Sequence, residues 1–323
     1  MFHTPLQLKL CPLPNIPPKK ITSAPGFKEF IVTVTDRSGR PIDGLKESDF
    51  SLSIDGRPVP INYFRTSDGN LPTAIAIVVD SSGSMKDKLS LDSGGKFDTV
   101  REKLSAAAPR FRACDELAVF TFGGSLDSNF FFGMNKVQIA EPFTSDYQSA
   151  IASLSQVEPY GQTPLYDSML SAIAGLSFSN YLNRTLLVIT DGMDNMSKAK
   201  LRDVTYEALR HNVTIYAVGI GNSAAKNPLG LQSIRAMLGV KPDSWVDVEA
   251  LTKMTTETGG RLWIVKPAHA DSDQKMETAL MDFTNSIGHG YSIGIVDAEN
   301  KPIRITVKGH AGAVIHARPS GII

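Results

Sequence analysis

The chain has 323 residues, long for one core and comfortable for two domains. Its 42% hydrophobic and 20% charged residues describe an ordinary globular composition. The 33 Lys and Arg residues balance 33 Asp and Glu and are spread along the chain, which excludes the basic footprint of a nucleic-acid binder or a polybasic membrane patch. No run of eighteen apolar residues occurs, so nothing reads as a membrane-spanning helix.

Residues 1–26 are Pro-rich and read as an extended lead-in, without the basic start and unbroken apolar run of a signal peptide. Residues 27–71 change to short alternating runs. FKEFIVTVTD, SGRPIDGL and DFSLSIDGRPVPINYFR predict strands punctuated by turns at Ser38-Gly39 and Asp55-Gly56. About three strands are too few to stand alone. The C-terminal residues 290–323 alternate in the same way, with turns around Glu299-Asn300 and Gly309 to Gly312. The expectation is a small β-sandwich built from both chain ends, with a larger domain over residues 72–289 inserted between them.

That central region alternates strand and helix. TAIAIVVD is a continuous apolar run of the kind found in strands buried on both faces. KFDTVREKLSAAAPRFRAC predicts a helix, ELAVFTFGG a strand, FFFGMNKVQIAEPFT an edge strand and LYDSMLSAIAGL a helix. RTLLVITDG, KLRDVTYEALRH, VTIYAVGIG, VEALTKMTTETG, RLWIV and KMETALMDFTNSI continue as strand, helix, strand, helix, strand, helix. This is the pattern of an α/β, doubly wound, mostly parallel, Rossmann-like sheet covered by helices on both faces. The two cysteines, Cys11 and Cys114, fit neither a disulfide framework nor a zinc site, and Cys114 reads as a buried small apolar residue.

In such sheets ligands bind beyond the carboxyl ends of the strands. Three segments fall there: Asp80-Ser81-Ser82-Gly83-Ser84-Met85, Gly161-Gln162-Thr163-Pro164-Leu165-Tyr166-Asp167 and Ile189-Thr190-Asp191-Gly192. They offer two carboxylates and three hydroxyls, and no imidazole or thiolate. An all-oxygen set suits Mg²⁺, Mn²⁺ or Ca²⁺ and not zinc or copper. Each residue alone has a plainer reading as a helix or turn cap; the coincidence of all five favours a metal. Asp194 and Asn195, just beyond Asp191, read as loop-ordering residues.

The D-x-S-x-S after an apolar strand, the later Thr and the T-D-G at another strand end resemble the von Willebrand factor type A and integrin inserted-domain pattern. The resemblance implies a metal-ion-dependent adhesion site in which Ser82, Ser84 and Thr163 touch the ion while Asp80 and Asp191 act directly or through water. It implies Mg²⁺, Mn²⁺ or Ca²⁺ as cofactor and a protein partner whose Asp or Glu carboxylate completes the shell. The V-T-D-x-x-G-x-P-I-x-G-L-x-x-x-D-F opening, GQTPLYD and TDGMDNMS resemble, more narrowly, the exported type A proteins of Acidobacteria, which implies an extracytoplasmic location. The function expected is therefore a metal-dependent protein-binding or adhesion module and not an enzyme. The alternative is a non-catalytic type A subunit serving a separate ATP-driven motor of the chelatase or remodelling kind.

Two further motifs fail on context. Gly219-Ile220-Gly221-Asn222-Ser223-Ala224 matches a dinucleotide fingerprint, but an irregular stretch with Pro228 and Gly230 follows it instead of a helix. Gly290-Tyr291-Ser292-Ile293-Gly294 matches a nucleophile elbow, but strand-like sequence follows Ser292. Partner selection is expected from the loops Lys86 to Lys96 and Asn222 to Asp247, with Trp245 as the aromatic anchor.

Overall fold

TAIAIVVD forms strand β5 (Thr73–Asp80), and all eight of its residues are buried. The computed structural model describes residues 26–67, 71–90, 94–123, 137–181, 183–223, 245–296 and 303–319. Around β5 lie β6 (Glu116–Phe122), β7 (Val137–Thr144), β8 (Asn183–Thr190), β9 (Val213–Ile220) and β12 (Leu262–Val265). They make one six-stranded sheet in the order β12-β9-β8-β5-β6-β7, parallel except for the antiparallel edge strand β7. Of the sequence expected to form that edge, residues 130–136 lie outside the described residues.

The period of two along each strand splits the core into two layers. Ile75, Ile77, Val79, Leu187, Ile189 and Val218 point to one face. There they meet α1 (Lys96–Ala107), α2 (Tyr147–Ala152) and α6 (Ser272–Ser286). Ala74, Ala76, Val78, Leu186, Val188 and Ala217 point to the other, against α3 (Leu165–Ser177), α4 (Leu201–Arg210) and α5 (Val248–Thr258). Burial on both faces is why these strands read as unbroken apolar runs. The short α2 was not expected from the sequence. Its cue is Asp146, whose side chain accepts a hydrogen bond from the Ser149 amide at 3.1 Å. Cys114 is half-buried, short of the full burial expected of it.

The chain ends meet in two antiparallel sheets. β15 (Val314–Pro319), β1 (Lys28–Thr35), β13 (Tyr291–Ile295) and β4 (Tyr63–Thr66) form one, in that order. β14 (Ile303–Val307), β2 (Phe50–Ile54) and β3 (Arg57–Val59) form the other. Every pairing within the two sheets except β2 with β3 joins an N-terminal to a C-terminal strand. Their inner faces share one core, including Val32, Val34, Phe50, Leu52 and Ile293. The Tyr291 ring lies 5.1 Å from Phe50 and 5.9 Å from Phe64, and its hydroxyl donates to the Ile42 carbonyl at 2.7 Å. The segment SGRPIDGL is a turn and not a strand. The Asp36 carboxylate accepts from the Ser38 amide at 2.7 Å and the Arg40 amide at 3.0 Å, curling the chain back on itself. Strand β13 runs straight through Ser292, which removes the nucleophile-elbow geometry.

One guanidinium pins both crossings between the sheets of the two units. Arg112 bonds Asp115 through Nε at 3.0 Å and Nη2 at 2.6 Å, and Nη2 also donates to the Leu71 carbonyl at 2.9 Å. The outgoing chain comes within hydrogen-bond reach of the incoming one, Leu71 amide to Gly288 carbonyl, at 3.2 Å. Gly288 has φ +79°, and a Cβ there would fall 1.8 Å from Arg112 Nη1, so this crossing favours glycine on both counts.

Because β13 sits between β1 and β4, deleting residues 290–323 removes a central strand and leaves β1 and β2 with open edges. The truncated protein should be cut rapidly by protease within residues 27–66 while the central α/β unit survives as a fragment. Equal protease resistance of that segment in the full and truncated chains would overturn the shared-sandwich account.

Candidate functional site

The six-stranded sheet reverses its winding between β5 and β8. From β5 the chain moves outward to β6 and β7, then returns to β8 on the other side and proceeds to β9 and β12. After β5 it crosses to the α1 face, and after β8 to the α4 face. The two loops diverge and leave a crevice at the strand ends, the topological switch point where ligands bind in open α/β sheets. Asp80 closes β5, and Asp191 immediately follows β8.

Both carboxylates are buried and fully engaged. Asp80, with no exposed surface, accepts from the Ser82 amide at 2.8 Å and from the Thr190 hydroxyl at 2.6 Å. Asp191 accepts from the Ser84 hydroxyl at 2.7 Å on one oxygen and from the Lys96 ammonium at 2.6 Å on the other. The hydroxyls of Ser82 and Ser84 lie 3.2 Å apart. Ser84 gives its proton to Asp191, so in the contact between the two serines Ser82 is the donor and Ser84 the acceptor.

Thr163 is brought in by the backbone. The Gly83 amide bonds the Gly161 carbonyl at 3.1 Å, and Asn195 grips Thr163 from both sides. Its side-chain oxygen accepts from the Thr163 amide at 2.9 Å, and its own amide donates to the Thr163 carbonyl at 3.1 Å. Asp194 accepts from the Tyr166 amide at 3.3 Å, and Asp167 accepts from the amides of Lys198 and Ala199. The segments GQTPLYD and TDGMDNMS are thus laced into one surface, with Asp194 and Asn195 ordering the loops. A Cβ on Gly192 would stand 3.3 Å from Thr163 Oγ1, so the small residue there lets Thr163 sit against the Asp191 loop. Gly123, at the end of the neighbouring strand, allows a similar approach. A Cβ on it would meet the carbonyl oxygens of Tyr160 and Ser81 at 2.6 and 2.7 Å, where the Tyr160 amide also bonds Ser81.

All five residues singled out in the sequence therefore lie at one end of the sheet, on the end of β5 and in three loops tied to one another. Two neighbours went unnoticed in the sequence. Thr190 shares its hydroxyl with Asp80, and Lys96 is 1% exposed with its ammonium against Asp191. The cue to Lys96 in the sequence is weak: it opens a helix, where the backbone dipole mildly disfavours a cation.

The donor set fits a hard divalent cation. Among the described residues no three His, Cys, Asp or Glu side chains cluster as ligands. The set here is three hydroxyls and two carboxylates, oxygen donors of the kind a hard divalent cation takes. Burial first, and the negative charge of Asp191 second, push the Asp80 carboxyl up to about 7, against the lowering effect of its bonds to Thr190 and Ser82. Two carboxylates held together out of water beside one ammonium are short of positive charge, which a cation would supply.

The rim carries apolar surface. Tyr160, next to Gly161, is 45% exposed and Met193, next to Gly192, is 39% exposed. The phenol of Tyr166 is raised to about 12, chiefly by burial and then by Asp247 and Asp194. Of the loops expected to select a partner, Lys86 to Lys96 runs from the end of a 3-10 turn (Gly83–Lys86) to the first residue of α1, and its residues 91–93 lie outside the described residues. Trp245 is in the two-residue strand β11 (Trp245–Val246), parallel to β10 (Asn222–Ser223). The Trp245 side chain and residues 224–244 lie outside the described residues.

The sequence profile of the family described as von Willebrand factor type A domain matches residues 74–256, more than half of the chain. No curated protein matches the chain significantly. Several solved structures do. A conserved hypothetical protein, BatB, from Bacteroides thetaiotaomicron is 14% identical over 66% of this chain and 100% of its own, with a TM-score of 0.44. The PilB minor pilin from Streptococcus sanguinis is 14% identical over 72% of this chain and 63% of its own, at 0.45. A von Willebrand factor type A protein from Catenulispora acidiphila is 12% identical over 92% of this chain and 74% of its own, at 0.49.

The raised Asp80 pKa gives a signed expectation for the metal-free protein. The folded state holds the Asp80 proton to about pH 7, whereas the unfolded chain releases it near 3.8. Asp80 therefore favours the fold below that lower value, and the contribution is lost as pH rises through about 7. In chelator, the stability of the wild type relative to Asp80→Asn should fall between pH 4.5 and 7.5, read from urea midpoints. A difference that is flat or rises with pH would contradict this electrostatic picture.

Proposed function

Because this chain belongs to the von Willebrand factor type A domain family, whose domains commonly serve as protein-interaction and adhesion modules, we propose that it is a metal-dependent binding module that grips an acidic side chain of a partner protein. The observation that supports this most directly is the hydrogen-bond pattern at the β5 and β8 ends. Ser82 and Ser84 lie 3.2 Å apart, and Ser84 donates its proton to Asp191. The hydroxyls of Ser82, Ser84 and Thr163 would hold the ion directly. Asp80 and Asp191 would set their orientation and supply the charge. Mg²⁺ or Mn²⁺ bound there supplies a Lewis-acid contact for an incoming Asp or Glu carboxylate.

The chain's own residues do the rest. Asp80 fixes the Ser82 backbone, Asp191 fixes the Ser84 hydroxyl, and Asn195 fixes Thr163. Exposed Tyr160 and Met193 offer apolar area next to the polar centre, the mix found where one charged contact is surrounded by water-excluding neighbours. We read the protein as a binder and not an enzyme because the Ser84 and Thr190 hydroxyls are spent as donors to carboxylates that hold structure. The strand motifs at the chain ends support the narrower affiliation with the exported type A proteins of Acidobacteria.

Mn²⁺ should bind with one-site stoichiometry in calorimetry and raise the unfolding free energy by about 2.7 kcal/mol at 100 times its Kd. Thr163→Ala, which removes one hydroxyl without disturbing a buried charge, should weaken that binding by about tenfold, or about 1.4 kcal/mol. No heat and no stabilisation at millimolar Mn²⁺ would overturn the proposal.

A further inference from the structure

Lys96 opens α1, is 1% exposed, and places its ammonium 2.6 Å from Asp191 Oδ2. Three costs oppose a lysine there. A buried ammonium loses its hydration, the first turn of a helix repels a cation, and the long side chain surrenders its rotamers. The Asp191 carboxylate and the Ser84 carbonyl, at 3.3 Å, are among its partners. For merely capping Asp191, a neutral donor would be the cheaper solution. A full positive charge beside the candidate metal ligands has consequences for the whole site.

The charges decide what those consequences are. Asp80 and Asp191 carry two negative charges when ionised, and Lys96 returns one. With Lys96 the side chains sum to minus one, so a divalent ion leaves the site at plus one, and a single carboxylate from outside brings it to zero. Without Lys96 the ion alone would neutralise the site, and the pull on an anion would be weaker. The same ammonium also occupies the second oxygen of Asp191 while Ser84 occupies the first. Asp191 is thereby held in the role of an acceptor behind Ser84.

Resting on the metal-dependent reading above, we propose that Lys96 is the specificity-determining charge of this site, a resident cation that weakens the hold on the divalent ion and reserves the positive charge of the loaded site for a carboxylate ligand. Its ammonium lies against Asp191 and the Ser84 backbone, itself enclosed, and so acts on the partner through the field of the site and not by touching it. An enclosed charge of this kind acts at longer range than a surface lysine would.

The test uses the full chain in carboxylate-free buffer at fixed pH, with Mn²⁺ and acetate as probes. Two variants separate charge from hydrogen bonding: Lys96→Met removes both, and Lys96→Gln keeps an N–H donor. Folding is checked by circular dichroism and melting. Each folded variant should bind Mn²⁺ at least ~10-fold tighter than the wild type, read by electron paramagnetic resonance of free Mn²⁺. Acetate should bind the Mn²⁺-loaded variant at least ~10-fold more weakly, read by water-proton relaxation. If either folded variant binds Mn²⁺ no tighter, or acetate as well as the wild type does, Lys96 is only a structural partner of Asp191 and the inference is overturned. A wild type that binds no Mn²⁺ fails at the earlier step and removes the metal reading itself. Weaker Mn²⁺ binding in Lys96→Met with unchanged binding in Lys96→Gln would assign the lysine to positioning alone and also overturn it.

Discussion

Two carboxylates buried at the ends of adjacent parallel strands are the constraint around which this molecule is arranged. Asp80 and Asp191 sit where the β5 and β8 loops diverge, in the one crevice that a doubly wound sheet cannot fill with its own helices. Isolated charges could not remain there. Each is therefore answered by two donors: the Ser82 amide and Thr190 hydroxyl for Asp80, the Ser84 hydroxyl and Lys96 ammonium for Asp191. The loops on that face then follow, because the donors must be delivered by backbone that approaches closely. At Gly123 a side chain would collide with that approach, and at Gly192 it would crowd Thr163.

The same logic of delivery explains the outer shell. Asn195 and Asp194 do not add charge to the centre; they bind the backbone of Thr163 and Tyr166 and hold a hydroxyl in position from a third loop. Preorganisation of this kind matters for a site whose ligands are mostly neutral oxygens, since each hydroxyl contributes little unless it is already in place. The rim residues Tyr160 and Met193 stand on the same two loops, so the polar centre and the apolar border are positioned by one set of bonds.

The described ends of the two connections between the sandwich and this unit meet at one point, Leu71 amide to Gly288 carbonyl. Arg112 and Asp115 clamp the entry at Leu71, and the exit at Gly288 passes against the same guanidinium. Placing both connections side by side lets a chain be inserted into another fold without straining either, since entry and exit need only meet at one point. Tyr291, the first residue of β13, then ties the two halves of the sandwich through Ile42, Phe50 and Phe64.

Much of this was legible from sequence because it is local. Alternating apolar positions in FKEFIVTVTD, unbroken apolar runs in TAIAIVVD and VTIYAVGIG, and helical spacing in LYDSMLSAIAGL report burial directly, residue by residue. The oxygen-bearing motifs were legible too, since Asp80 ends a strand, Ser82, Ser84 and Asp191 come just after strands, and Thr163 stands just ahead of a helix. Where local cues competed, the sequence misled: SGRPIDGL has strand-like apolar positions, yet the Asp36 carboxylate closes it into a turn. By itself the sequence determined the class of the fold, the pairing of the chain ends and the chemistry of the candidate ligands, all properties carried by the identity and spacing of neighbouring residues. Only the tertiary structure decided which groups answer the buried charges. Lys96 and Asp191 are 95 residues apart, as Thr190 and Asp80 are 110 apart; the first pair meets where a helix start reaches the end of β8, the second where two strands end side by side. No periodicity records such a meeting. A lysine at the start of a helix reads as a solvated surface residue until the fold closes over it, and its charge then belongs to the site.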